Sequence, residues 1–243
     1  MNAKEMQISF ERKIQLMDPT LIADAKLDSD SIFAFINAAQ NRFVVVNYMQ
    51  GDQYVMDTNA FAKNSDAIKN LIVEETLTAE GLSEAGNSLY KLPSEQGKQF
   101  FLYIDSFTKV NKTYLGVNSV PSYIQNQLIK HTDVDKYTSN VFNTPIIRTP
   151  GVVLVGSQFA PNSGSFVSGP SFLKLHTDSH TEVANVLLTY CRAPRPINTI
   201  IKTNHLTQSE LSENVHDEIV DMAVELFITE AKYRLSVKQP ANE

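Results

Sequence analysis

Sixteen of the chain's nineteen glycines and prolines fall between Gly81 and Pro196, so only Pro19, Gly51 and Pro240 interrupt the two flanking stretches. Glycine breaks a helix through its conformational freedom, and proline by losing an N–H and clashing with the preceding turn. The centre is therefore cut into short extended pieces, while both ends are free to run as helices. Apolar residues recur at helical spacing at both ends, which predicts a helical layer built from two remote segments with a β-rich insert between them. That is the architecture of an assembly part more often than of an enzyme.

Three helices carry the expectation. Met6, Phe10, Ile14 and Met17 recur at three- and four-residue steps before Asp18-Pro19. Ile32, Ile36, Ala39, Phe43 and Val46 form a second stripe, with capping candidates in Asp28 to Ser31 and a stop at Gly51, so a helix is expected from about Ser29 to Tyr48. In the third, Val215, Ile219, Met222 and Leu226 are flanked by Val220, Ala223 and Phe227; Asn214 is placed to cap it, and Lys232 and Arg234 suit its last turn. Four large side chains on such a face release roughly 6–12 kcal/mol on burial before ordering entropy is subtracted. The third helix must therefore dock, and the Ser29–Tyr48 stripe is its natural partner. Shorter helical pieces are expected at Thr58–Ala62, Asp66–Ile72 and Tyr123–Ile129.

Between them, β-branched and aromatic runs bounded by Gly, Pro, Asn or Ser read as strands at Glu74–Thr78, Ser88–Leu92, Gln99–Ile104, Lys112–Val117, Ile146–Val155, Ser165–Val167, Ser171–His176 and Thr181–Tyr190. The last two read as one hairpin through Thr177 to His180. The fold class is thus α+β: a helical bundle from the N- and C-terminal segments with a β-rich, antiparallel sandwich or barrel-like insertion. Its expected divisions are 1–80, 81–206 and 207–243.

With a net charge of −6, the surface lacks the basic excess by which duplex-binding domains neutralise phosphates. Cys191 stands alone, so there is neither an intramolecular disulfide framework nor a thiolate metal cluster. No apolar run approaches the ~18 residues that span a bilayer, and the first residues lack a signal-like apolar region. These features are read as a protein made in the cytosol, without a membrane partner.

Catalytic motifs are not found. His176-Thr177-Asp178-Ser179-His180 brings two imidazoles close, but a metal site needs further ligands that this spacing does not supply, and it reads as a polar turn; a hydrolase using it is the third functional reading. Gly164 to Ser171 matches phosphate-loop glycine spacing, yet Pro170 stands where the lysine must be. Arg192 beside Cys191 favours a lowered thiol pKa, though no activating histidine is placed nearby, and the cysteine reads as structural. No catalytic residue, metal ligand or cofactor is assigned. From Glu210 to Glu230 there are seven acidic residues and no basic one, with Asp217, Asp221 and Glu225 at four-residue steps. They form either a solvated outer face, a surface for a basic partner, or a channel wall along which DNA slides. Prolines and arginines at Asn143–Pro150 and Arg192–Pro196 mark strand boundaries that either block edge pairing or serve as docking edges.

The order of parts resembles the head–tail connector proteins of tailed bacteriophages, most closely those of crAss-like phages. The resemblance rests on Phe10, the helix entry Leu27-Asp28-Ser29-Asp30-Ser31-Ile32, the stretch Asn37 to Phe43, the phrases Pro145–Val155 and Tyr190–Ile197, and the closing Asn214 to Val224. It implies a structural virion protein at the portal vertex, assembled as a ring of about twelve copies. The ring would join the portal protein to further tail or ring proteins and pass DNA through its channel. The interface candidates under this reading are Phe10, Phe35, Arg42, Tyr48, Arg148, Arg195, Asp217 and Asp221. The insertion is longer than compact adaptors need, so a place against the portal and one further down the neck both stay open. The alternative is a non-catalytic β-rich module binding carbohydrate or protein, with Tyr103, Tyr114 and Tyr123 as an aromatic cleft.

Overall fold

A computed structural model describes residues 1–17, 27–53, 66–83, 87–111, 121–139, 150–156, 170–177, 183–198 and 208–238. The chain divides into a unit of residues 1–71 and 193–243 and a unit of residues 72–192. Both helices and sheets are present, with helices towards both ends of the sequence, so the class is α+β.

In the first unit, α1 (Ala3–Met17) opens on a reciprocal cap: Asn2 N–H donates to Glu5 Oε2 and Glu5 N–H to Asn2 Oδ1, both at 2.9 Å. Two otherwise orphaned helix donors are satisfied at once. Asp28 caps α2 (Ser29–Gln53) by accepting Ser31 N–H at 3.0 Å, and hydrogen bonding from Ser31 lowers its pKa. This helix runs beyond the expected Tyr48 and through Gly51, since one glycine weakens a helix without ending it.

The last helix, α4 (His216–Lys238), follows a 3-10 turn at Glu213–Val215, which puts Asn214 inside the turn instead of at a cap. It packs against both α1 and α2, so the two remote ends do meet. Its buried face is Ile219, Val220, Ala223, Val224 and Phe227, rotated from the expected Val215–Leu226 stripe. Phe227 sets that rotation: it takes Phe10 edge-on at 6.0 Å and Phe35 edge-on at 5.5 Å, one from each partner helix.

The chain re-enters this unit at Ala193. Asn37 of α2 donates Nδ2–H to Ile197 O at 3.0 Å and accepts Ile197 N–H at 2.7 Å, giving the strand-like segment the pairing a neighbouring strand would give. Beside it, Gln40 donates to Arg195 O at 3.1 Å and accepts Ser209 Oγ–H at 3.0 Å.

The second unit has two sheets. The first has the order β1 (Ile72–Leu77), β9 (Val183–Arg192), β4 (Phe100–Asn111), β5 (Pro121–Gln125). The second runs β2 (Ala79–Ser83), β3 (Asn87–Lys91), β8 (Pro170–His176), β7 (Gly151–Gly156), β6 (Gln127–Leu128). All pairs are antiparallel except β6 with β7. Leu77, Tyr103, Val186, Leu188 and Tyr190 from the first sheet share one apolar cluster with Tyr90, Val152, Leu173 and Leu175 from the second. Alternation along each strand places these residues on one face. Between β3 and β4, Gly97 adopts a φ of 87°, a left-handed turn conformation that suits glycine.

Several expectations are corrected. β8 and β9 are not a hairpin: they lie in different sheets, because each has a buried face and the two faces contribute to one core instead of sitting side by side. Tyr123–Ile129 is not a helix but β5 and β6 around a corner at Asn126. Asn126 is buried there, donating Nδ2–H to Ser106 Oγ at 2.8 Å and accepting Thr108 Oγ1–H at 2.5 Å, bonds that override local helical spacing. The units meet in sequence at Leu71/Ile72 and Arg192/Ala193, not at 80/81 and 206/207, since β1 pairs along its length with β9. Thr58–Ala62, Lys112–Val117 and Ser165–Val167 lie outside the described residues.

Candidate functional site

The interface candidates separate into buried and exposed sets. Phe10 is fully buried, so its ring holds this chain's own helices together, and Phe35 shares that role through Phe227. Arg42 is exposed on α2 and Tyr48 is half-buried near its end. Arg148 lies outside the described residues. Arg195 is exposed, but its Nε sits 3.4 Å from Glu210 Oε1 and its backbone N–H donates to Glu210 Oε2 at 3.2 Å. That pairing anchors the returning segment within the chain.

Asp217, Glu218, Asp221 and Glu225 are exposed along α4. The row is not free of basic partners: Lys13 of α1 places its Nζ 2.5 Å from Asp221 Oδ1 and 3.4 Å from Asp217 O. An ion pair this exposed adds little stability. It does offset one of the four charges, leaving the Asp217, Glu218 and Glu225 carboxylates as outward negative charge.

The second unit holds a cleft on the outer face of its five-stranded sheet. Leu173 and Leu175 of β8 point into the core, so the alternate residues Lys174 and His176 occupy the outer face, beside Leu89 of β3 and Val153 and Val155 of β7. The 3-10 turn His131–Asp133 and α3 (Val134–Ser139) cover one side. They are held by His131 Nε2, 2.7 Å from Leu154 O, and by Tyr137, whose ring occupies the space a side chain at Gly151 would need. The result is a cleft of about 370 Å³ with Leu89, Val134, Val153 and Val155 as apolar wall and His131, Lys174 and His176 as its nitrogen-bearing side chains.

His176 is 4% exposed, and its Nε2 is a buried atom with no hydrogen-bond partner among the described residues. Burial, and next the nearby Lys174 charge, lower its pKa, so the ring is neutral at pH 7. His180, the other member of the His-Thr-Asp-Ser-His turn, is outside the described residues. Among the described residues no three His, Cys, Asp or Glu side chains group as a metal site requires. The Cys191 thiol is pushed up to about 11 by burial, which outweighs the opposing Arg192 charge. Tyr103 is buried with its Oη 2.9 Å from Ser106 Oγ, Tyr114 lies outside the described residues, and Tyr123 is 56% exposed with Lys109 Nζ 5.9 Å from its ring centre. Tyr103 and Tyr123 therefore do not line a shared aromatic cleft.

Local sequence reading named His176 but missed Lys174, His131 and the aliphatic wall. The alternation of Leu173 and Leu175 with Lys174 and His176 was the available signal, because it predicts a second, outward face. No helix among the described residues is long and apolar enough to cross a membrane. The chain matches no protein-family model and no curated protein.

Proposed function

We propose that this is a structural, non-enzymatic virion protein, a subunit of the ring at the portal vertex that joins the capsid portal to the tail and lets DNA pass. In this reading α1, α2 and α4 form a helical bundle and the two sheets a sandwich-like insertion. One observation carries it: residues 1–71 and 193–243 close a single unit, so the 72–192 unit is an insertion in its sequence. A frame closed from both ends tolerates an inserted module that varies with its neighbours. Ring contacts are heterologous, one patch on each subunit meeting a different patch on the next. Exposed Arg42 and the acidic row of Asp217, Glu218 and Glu225 are suited to such contacts. The net charge of −6 suits a channel through which DNA slides without sticking. The subunit is made in the bacterial host's cytoplasm and takes its place on the portal.

Electron microscopy of the protein mixed with the portal ring of the same phage tests the reading. An added ring layer with the portal's symmetry is expected, and a portal left bare at saturating protein refutes it. A β-rich binding module is the second reading, favoured by a cleft that Lys174 and His176 line and by a buried His176 Nε2 with no hydrogen-bond partner among the described residues.

A further inference from the structure

We infer that the cleft on the outer face of the β3–β8–β7 sheet is a binding site for a small organic monocarboxylate with an aliphatic body. The inference deepens the binding-module reading and is independent of ring assembly. Four observations converge on it. First, His176 Nε2 is buried without a hydrogen-bond partner among the described residues, and a buried polar atom left unpaired is unfavourable unless something completes it. Second, Lys174 stands two residues away on the same strand face, lines the same cleft, and has no ion-pair partner among the described residues. Third, among the described residues no acidic side chain lines the cleft, which disfavours an amine or a metal cation. Fourth, Leu89, Val134, Val153 and Val155 supply an aliphatic wall that a bare inorganic anion would leave unused.

These features select the ligand class. One ammonium and one neutral imidazole N–H together offer a single positive charge and two donors, which matches the single charge and two oxygens of a carboxylate. His131 is not counted as a donor, since its Nε2 is engaged with Leu154 O. A volume of about 370 Å³ lies at the small end of ligand pockets, which fits a short acid.

The test titrates isotope-labelled full-length protein with hexanoate, and separately with 1-hexanol and hexylamine, following the His176 ring and Lys174 side-chain resonances. Saturable shifts with hexanoate are expected. Hexanol should bind about tenfold or more weakly, since a charge-assisted hydrogen bond is at stake, and hexylamine should produce no saturable shift. Lys174→Met and His176→Leu should each weaken hexanoate about tenfold or more, and His176→Leu should leave the unfolding temperature unchanged or raised, because it removes an unpaired buried nitrogen. No saturation with hexanoate, equal binding of hexanol or hexylamine, or full affinity in Lys174→Met overturns the inference. If His176→Leu does not fold, Lys174→Met alone decides. Because this readout uses the isolated chain, a negative result leaves ring formation on the portal unaffected, and the converse also holds.

Discussion

The clamp that Asn37 places on Ile197 closes the helical unit after the chain returns from its β-rich centre, and it makes a quantitative prediction. Asn37→Ala removes two hydrogen bonds, at 3.0 and 2.7 Å, and strands both the N–H and the C=O of Ile197 on a buried residue. Each bond is worth about 1 kcal/mol net, and each stranded group adds to the loss where water cannot reach it, for a total of about 2–3 kcal/mol. With a urea slope of about 2 kcal/mol per molar, the helical transition should move down by about 1 M. Far-UV circular dichroism reports that transition, and a β-sheet probe such as tyrosine fluorescence follows the other unit. Asn37→Asp sharpens the test, for it keeps the acceptor for Ile197 N–H but turns a second oxygen towards Ile197 O. At pH 7 it should lose about as much as Asn37→Ala. Near pH 4 the carboxyl regains a proton, can donate to Ile197 O, and the deficit should shrink, whereas that of Asn37→Ala should not. A midpoint shift below about 0.3 M for Asn37→Ala, or identical pH behaviour of the two variants, would refute the clamp as a closing element.

Three further outcomes follow from the β unit. Gly151→Ala drives its methyl into the Ile129 and Tyr137 side chains, which must shift to make room, and thermal unfolding should reveal a loss of about 1–3 kcal/mol. Cys191, fully buried with its thiol pushed up to about 11, should react with a thiol reagent at pH 7.5 roughly a hundredfold or more slowly in native buffer than in denaturant. Burial first, and Glu75 next, raise the pKa of Tyr190 above its ordinary value of 10.0, so the folded state holds a proton that the unfolded state loses. Its stabilising contribution is complete below pH 10 and is lost above it at up to about 1.4 kcal/mol per pH unit, a share of the slope that Tyr190→Phe should remove in alkaline urea titrations, leaving the part due to Cys191 and Tyr90.

The helical unit was legible in sequence because its determinants are local. Helical period, the acidic cap at Asp28, and the scarcity of glycine and proline all operate within a few residues of each other. What that reading missed depends on pairs far apart in the chain. Lys13 answers an acidic row that looked uncompensated along α4, and Glu210 holds an Arg195 that looked free to dock elsewhere. Phe10 and Phe35 each take Phe227, from the other end of the chain, edge-on, a contact their own elements do not announce. Charge and aromatic patterns read along one element thus overstate how much of its surface is open to a partner.

In the β unit β1, β3, β4, β7, β8 and β9 were legible at least in part, whereas β2, β5 and β6 were not, and neither was the pairing, for a physical reason. Alternation reports that a strand has an apolar face but is silent on whether the next strand lies beside it or across the core from it. β8 and β9 carry equally good alternation and a short connection, which favours a hairpin on local grounds, yet each is an interior strand of its own sheet. The cleft depends on that choice. With β8 between β3 and β7, Leu89, Val153 and Val155 flank Lys174 and His176 on one outward surface; in a β8–β9 hairpin, β9 residues would have taken one of those flanking places. The site is therefore a property of strand order, and strand order is set by how two sheets share ten core residues, a long-range balance that no window of the sequence contains.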